Sequence, residues 1–186
     1  DVAHHVSWGY TMGETTKMPQ FWLIAASFIF IGFYVAGFAL QFIPYFQSLE
    51  EQKILLISSA TLASMFGLFS IFGNVFGGVL FDKLGLSKSF ILAGILVILA
   101  GLCLLFVGKL NVLGYVFTVA FGISMFSYVM GPSYMTGALF GDRDYGAILG
   151  FIQLFFAAGF AIGTPIFSLI LEKTGWAMAW TSSIIF

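Results

Sequence analysis

The stretch SFILAGILVILAGLCLLFVG, Ser89 to Gly108, decides the fold class: it carries no charge and is apolar on every face of a helix. At 1.5 Å per residue such a helix reaches about 30 Å, the depth of a bilayer's hydrocarbon core. A membrane β-strand would alternate apolar and polar residues over roughly ten positions, and this stretch does not. Working outward, charge-free runs recur at 18–49, 54–81, 110–141 and 145–171, and another begins at 174. They predict an all-α membrane protein with complete spans at about 20–46, 54–81, 89–108, 111–138 and 146–171. A truncated sixth span follows at 176–186, and a polar leader occupies 1–19.

Composition agrees. The 186 residues include only 7 Lys and Arg and 8 Asp and Glu, with 60% hydrophobic types and a mean hydropathy of +1.05. A water-soluble domain needs about a quarter charged residues for its surface. Recurrence of the runs along the whole chain excludes a signal peptide. Nearly balanced charge offers no basic patch for nucleic acid. Cys103 stands alone, so no internal disulfide or cysteine metal cluster is available. His4 and His5 sit in the leader, where a solvated pair needs no further ligands and a metal site would. No cofactor or metal is expected, and no span carries the nucleophile–base constellation of an enzyme.

The few charges lie between the runs. One side collects Lys17, Lys83, Lys88 and Arg143, and the other collects Lys53, Lys109 and Lys173. The positive-inside bias places the leader and the 82–88 loop in the cytoplasm, giving an integral protein of the plasma membrane, such as a bacterial inner membrane. Trp22 and Trp176 stand near span starts, where indoles favour the interface. Pro44, Pro132 and Pro165 fall inside spans or at their ends, where each removes a helix hydrogen bond and bends the path.

The chain also repeats at an offset of 90 residues. LFDKLG at 80–85 returns as ILEKTG at 170–175, Gly73 as Gly163 and Gly32 as Gly122. Three spans separate the copies, so the second is inverted relative to the first, an arrangement characteristic of secondary transporters. An acid–Lys–x–Gly helix ending would also arise without a repeat. Polar residues are unevenly shared: the third run has only Ser89 and Cys103, whereas the others carry Ser, Thr, Tyr, Asn and Gln. An unpaired polar group in hydrocarbon costs about 4–8 kcal/mol, which turns spans one, two, four and five towards protein or water and span three towards lipid. The candidates for a solute cavity are Tyr34, Ser70, Ser127 and Tyr128, near the centres of their spans, Gln153 about one turn towards the cytoplasm, and the polar Gln41 and Asn74 of spans one and two. Each could equally be a contact between helices. The Gly-x-x-x-Gly pairs at 73–77 and 159–163 read as packing faces.

GGVLFDKLGLSK, Gly77 to Lys88, resembles the loop signature of the major facilitator superfamily. Gly78, Asp82, Lys83, Gly85 and Lys88 fit it, while Leu86 stands where a basic residue is usual. YTMGETTKMPQFW at 10–22 and GPSYMTGALFGDRDYGAILG at 131–150 are similar to segments of the oxalate–formate and monocarboxylate branch. The resemblance implies the C-terminal half of a twelve-helix fold: six helices in two inverted three-helix repeats, partnered by an N-terminal six-helix half. It implies a carrier that moves a small solute by alternating access, as an antiporter, symporter or facilitator. The Asp82 loop would latch the halves on the cytoplasmic side, with Asp142 and Arg143 as a second latch or a surface ion cluster. Physically, a carboxylate at Asp82 suits a helix N-terminus, and a solvated turn is the plainer reading. The pattern fails at Gly73-Asn74, where carboxylate carriers of the branch often have Gly-Arg. This chain holds no intramembrane cation for an anionic solute, and Asn74 can bond a neutral solute or a neighbouring helix. The rivals are a half-size carrier or pore working as a homodimer, and a non-transporting scaffold or sensor domain.

Overall fold

The structure, a computed structural model, describes residues 8–185, with side chains through 182; His4 and His5 lie outside the described residues. The order is α1 Met12–Thr15, α2 Pro19–Glu51, α3 Ser59–Phe106, α4 Val112–Ser124, α5 Phe126–Val129, α6 Gly131–Phe140, α7 Tyr145–Thr174 and α8 Trp176–Ile185. Four stretches are long and apolar enough to cross a membrane: α2, α3, the α4–α6 path over Val112–Phe140, and α7.

As a straight rod, the 48 residues of α3 would reach about 72 Å, more than twice a hydrocarbon core. Gly85 breaks it, with φ 76 and ψ 172, a conformation open to a residue without Cβ. The two arms fold back on each other. The Ser89 hydroxyl donates to the Leu80 carbonyl at 3.1 Å, and the Phe81 and Phe90 rings lie 5.7 Å apart. Both arms run along the α4–α6 path in opposite order: Leu62 and Val107 meet Gly114, Gly73 meets Ile123, and Phe81 and Phe90 meet Gly131. The loop expected over 82–88 is therefore a single non-helical residue, and Asp82, Lys83 and Lys88 stay helical on either side of it. One glycine reverses the chain, so no longer loop is needed.

Connections gather at two ends. At one end the Glu50 carboxylate accepts the Ser59 N–H at 2.8 Å, and the Asn111 amide bridges the Leu56 N–H and the Ile54 carbonyl. Trp176 packs there on Tyr45, with ring centroids 4.9 Å apart. At the opposite end Met12, Leu86, Phe140 and Ile148 share one apolar cluster, which joins the leader, the Gly85 break and the α6–α7 turn. The larger core lies nearer the first end and is built from Phe38, Phe42, Phe46, Phe117 and Phe121. Phe66 and Phe121 stack at 5.3 Å, and Phe42 meets Phe117 at 5.4 Å.

The helices pair through glycine. A Cβ on Gly32 would overlap the Phe156 carbonyl and stand 2.8 Å from the Phe160 nitrogen, while one on Gly159 would overlap Ile29. This is the α2–α7 seam. A Cβ on Gly122 would lie 3.0 Å from both the Phe66 carbonyl and the Ser70 nitrogen, and one on Gly73 would lie 2.5 Å from the Ile123 carbonyl. This is the seam between α3 and α4. Without a hydrophobic drive between helices in lipid, such backbone approach supplies the van der Waals contact that holds them. The two seams match at the offset of 90. Gly32 meets residues 156 and 160 as Gly122 meets 66 and 70, and Gly163 meets Phe33 as Gly73 meets Ile123. Gly175, at φ 80 and ψ 175, adopts the backbone of Gly85.

The prolines act unequally. Pro44 and Pro165 are accommodated within α2 and α7, which remain single helices. The fourth path is interrupted at Met125 and Met130, just ahead of Pro132. Pro132 cannot donate to the Tyr128 carbonyl four residues back, and it sits comfortably in the first turn of α6. The second arm of α3 presents Ile91, Ile95, Ile98 and Leu102 outward, the face expected to meet lipid.

Candidate functional site

Hydroxyls within the apolar helices need acceptors, and most find them in their own helix. Ser70 donates to the Gly67 carbonyl at 2.8 Å, Ser124 to Phe121 at 2.7 Å, and Ser127 to Ser124 at 2.9 Å. This back-bonding satisfies the donors and favours local bending. Ser70 and Ser127 are thus occupied within their helices, as packing residues would be.

Two candidates differ. The Asn74 Oδ1 is buried with no hydrogen-bond partner among the described residues. The buried Tyr34 hydroxyl makes no well-formed hydrogen bond, with the Ser124 hydroxyl beside it as a weak partner. Such groups are rare in folded chains, because each forfeits about 1–3 kcal/mol of desolvation without compensation. Tyr34 comes from α2, with its ring edge-on to Phe38 at 5.7 Å. Ser124 and Tyr128, from the interrupted fourth path, are its polar neighbours. The Tyr128 ring lies flat on Phe156 of α7, 5.7 Å between centroids and 4° between planes. Asn74 follows Gly73, which touches Gly122 and Ile123 at the same level. Tyr34 of α2 and Tyr128 and Ser124 of the fourth path therefore lie together, and Asn74 follows the Gly73 contact on the first arm of α3.

Gln41 and Gln153 are half-buried and stand apart from this group. Gln41 is two helical turns beyond Tyr34, about 10 Å, and Gln153 is one turn before Phe156. Ser124, which flanks the interruption and lies beside Tyr34, counts in the sequence only as one of several polar residues of span four. The Trp180 indole nitrogen is likewise buried without a partner, on α8 against Phe38 and Phe167.

The charged motif is open. Asp82, Lys83 and Lys88 are exposed, and their side chains make no hydrogen bond or ion pair among the described residues. Among the described residues the Asp82 carboxylate caps no helix, since it accepts no hydrogen bond there and Asp82 lies within the first arm, three residues before the Gly85 break. A Cβ on Gly78 would meet nothing within 4 Å. In the next turn Asp142 and Arg143 are exposed, and Asp144 makes the contact instead: its carboxylate accepts the Met12 N–H at 2.8 Å. In the leader, Thr11 donates its N–H and hydroxyl to Glu14 at 2.8 and 2.9 Å. Those bonds hold the Glu14 carboxyl below the usual carboxylate range. Among the described residues no group of three or more His, Cys, Asp or Glu could hold a metal ion.

A family model described as Major Facilitator Superfamily matches residues 22–186. No curated protein and no solved structure matches the chain. The match covers the apolar helices, both glycine seams and the interrupted fourth path. The chain accordingly belongs to the major facilitator superfamily, whose members are multi-pass membrane transporters and not enzymes.

Proposed function

We propose that this chain is the C-terminal six-helix half of a twelve-helix carrier, with α8 as the start of its sixth span. It moves a small solute by alternating access, rocking against an N-terminal six-helix half around a central site. The observation that carries this reading is the pair of glycine seams related by 90 residues, Gly32 on 156 and 160 against Gly122 on 66 and 70. Two three-span units in inverted orientation account for that correspondence and for the shared backbone of Gly85 and Gly175.

The central site includes Tyr34, Asn74 and Tyr128, where the weakly partnered Tyr34 hydroxyl and the unpartnered Asn74 amide oxygen would bond the solute. The leader, the Gly85 break and the α6–α7 turn form the cytoplasmic end, and Asp82 latches onto the other half there. The open side of α3 at Gly67 and Gly78 suits the close approach of that half. The similarity of the leader and of residues 131–150 to segments of the oxalate–formate and monocarboxylate branch supports kinship with it.

Uptake by the full-length protein in proteoliposomes tests the reading. Solute flux that falls with Asp82→Asn and with Asn74→Ala supports it. Flux through a crosslinked dimer of this chain alone would favour the half-size carrier, and absence of flux for every solute class would favour the scaffold.

A further inference from the structure

The leader end contains an arm and something that ties it down. α6 is separated from α4 by the interruptions at Met125 and Met130, and Pro132 removes a rung of the ladder between them. Beneath it lies a cleft whose lining includes Gly78, Phe81, Met130, Ser133, Tyr134 and Tyr145. Apolar packing holds the arm through Met135 and Phe140, buried with Phe21 and Ile148, and Tyr134 stacks on Phe81 at 4.8 Å. Two hydroxyl contacts add to it: Tyr134 donates to the Phe81 carbonyl at 3.3 Å, and Tyr145 to the Ser133 carbonyl at 3.2 Å. Both are long for O–H donors.

The shorter ties come from the leader. Tyr10 N–H donates to the Phe140 carbonyl at 2.9 Å, Asp142 N–H donates to the Trp8 carbonyl at 3.0 Å, and Met12 N–H donates to the Asp144 carboxylate at 2.8 Å. Gly9 and Gly141 face each other across this antiparallel bridge. Both have positive φ, 131° and 79°, and a Cβ on either would overlap the opposite backbone. Asp144 stands at the start of α7 without capping it, and its carboxylate serves the leader instead.

We propose that Trp8–Met12 is a releasable strap that locks α6 over the cleft, so that undocking the leader from the α6–α7 turn opens this end of the solute path. The strap rests on the carrier reading for its role in transport, but its docking is measurable without transport. These charge-assisted and backbone hydrogen bonds act at the α6–α7 turn, the end of α6 away from the interruption, and add to the apolar packing there. The leader thereby couples whatever precedes it in the chain to the position of the arm.

The test uses the full-length protein in nanodiscs, carrying Ser133→Cys in the cleft, with labelling by a polar maleimide read against the parent without that cysteine. Gly9→Ala, which blocks the bridge, and Asp144→Asn, which removes the charge, are each compared with Gly13→Ala, where a Cβ meets nothing. Losing one or two such hydrogen bonds shifts an opening equilibrium about tenfold. Labelling should therefore accelerate by about that factor in the first two variants and stay unchanged in the third. Hydrogen exchange at the Tyr10, Met12 and Asp142 amides should rise in parallel. Labelling unchanged in both Gly9→Ala and Asp144→Asn, with those amides deprotected, overturns the strap as a lock. Absence of solute flux in the unmodified protein would overturn the carrier reading and leave the labelling result standing.

Discussion

At the scale of single residues, Asn74 separates itself because its buried Oδ1 finds no partner, and Tyr34 because its buried hydroxyl has only a weak partner in Ser124. Ser70 and Ser127, by contrast, are satisfied by carbonyls three residues before them. A solute that completes those bonds loses about tenfold in uptake when one is removed, a loss near 1.4 kcal/mol. Tyr34→Phe and Asn74→Ala are expected to lower uptake by that factor in proteoliposomes, whereas Ser70→Ala leaves it within about twofold. Equal losses in all three would assign the oxygens to helix packing. Gly85 is the other decisive residue. Gly85→Ala forces a side chain into a backbone region that costs about 1–3 kcal/mol, and it is expected to lower the thermal midpoint of the purified protein. In the sequence, Tyr34 stands out by its depth in the first span and Asn74 by the Gly73-Asn74 position where the resembling branch has Gly-Arg. It could not distinguish an orphaned amide from a back-bonded hydroxyl, because that depends on which carbonyl lies within 3 Å.

At the scale of elements, the long charge-free runs were legible at once, since hydrophobic length is a local property. The Gly-x-x-x-Gly pairs were equally legible as packing faces, and both stand in helix seams. The turn between the two α3 arms is shorter than the charged 82–88 segment suggests, because a single glycine at positive φ leaves no trace of loop composition around it. The interruption of the fourth path was readable from Pro132, but the continuity of α2 and α7 through Pro44 and Pro165 was not, since neighbouring helices decide whether a proline breaks its helix. Gly159→Val is expected to push α2 and α7 apart and to cost about 1–3 kcal/mol or more, while Gly67→Ala, where a Cβ meets nothing, is neutral in the same thermal-shift assay. The leader helix carries a pH dependence. Glu14 has its carboxyl lowered by the Thr11 bonds, so the stabilisation is fully present above the ordinary carboxylate value and is lost as pH falls through the lowered one. Protection of the Glu14 and Thr15 amides, relative to their intrinsic exchange at each pH, should be flat from neutrality to mild acid and fall only in stronger acid.

At the scale of the whole molecule, the outward face of the first α3 arm carries Leu68, Ile71, Val75 and Val79, with Ile71 62% and Val75 65% exposed. Gly78 sits on that arm with open space beside it. If another six-helix unit packs there, Gly78→Leu abolishes uptake while the thermal midpoint of this half holds. Full uptake by Gly78→Leu would place that face against lipid instead. The inverted relation was suggested by residues that match at 90, and the seams give that numerical coincidence a geometric counterpart. What no single chain reveals is the surface that completes it, because the residues that would recognise Asp82 are not its neighbours here.

The α2–α7 seam also has a consequence in time. α3 and α4 follow one another and can join as soon as both have left the ribosome, but Ile29 and Gly32 wait for Gly159 and Phe156. During synthesis at about 5–20 residues per second, the first helix therefore spends several seconds in the membrane with its glycine groove empty. A chaperone or insertase able to shelter that groove would find its substrate in this interval. Substitutions at Gly32 should accordingly lower the yield of assembled protein more than those at Gly73, even where both distort a seam of the same shape.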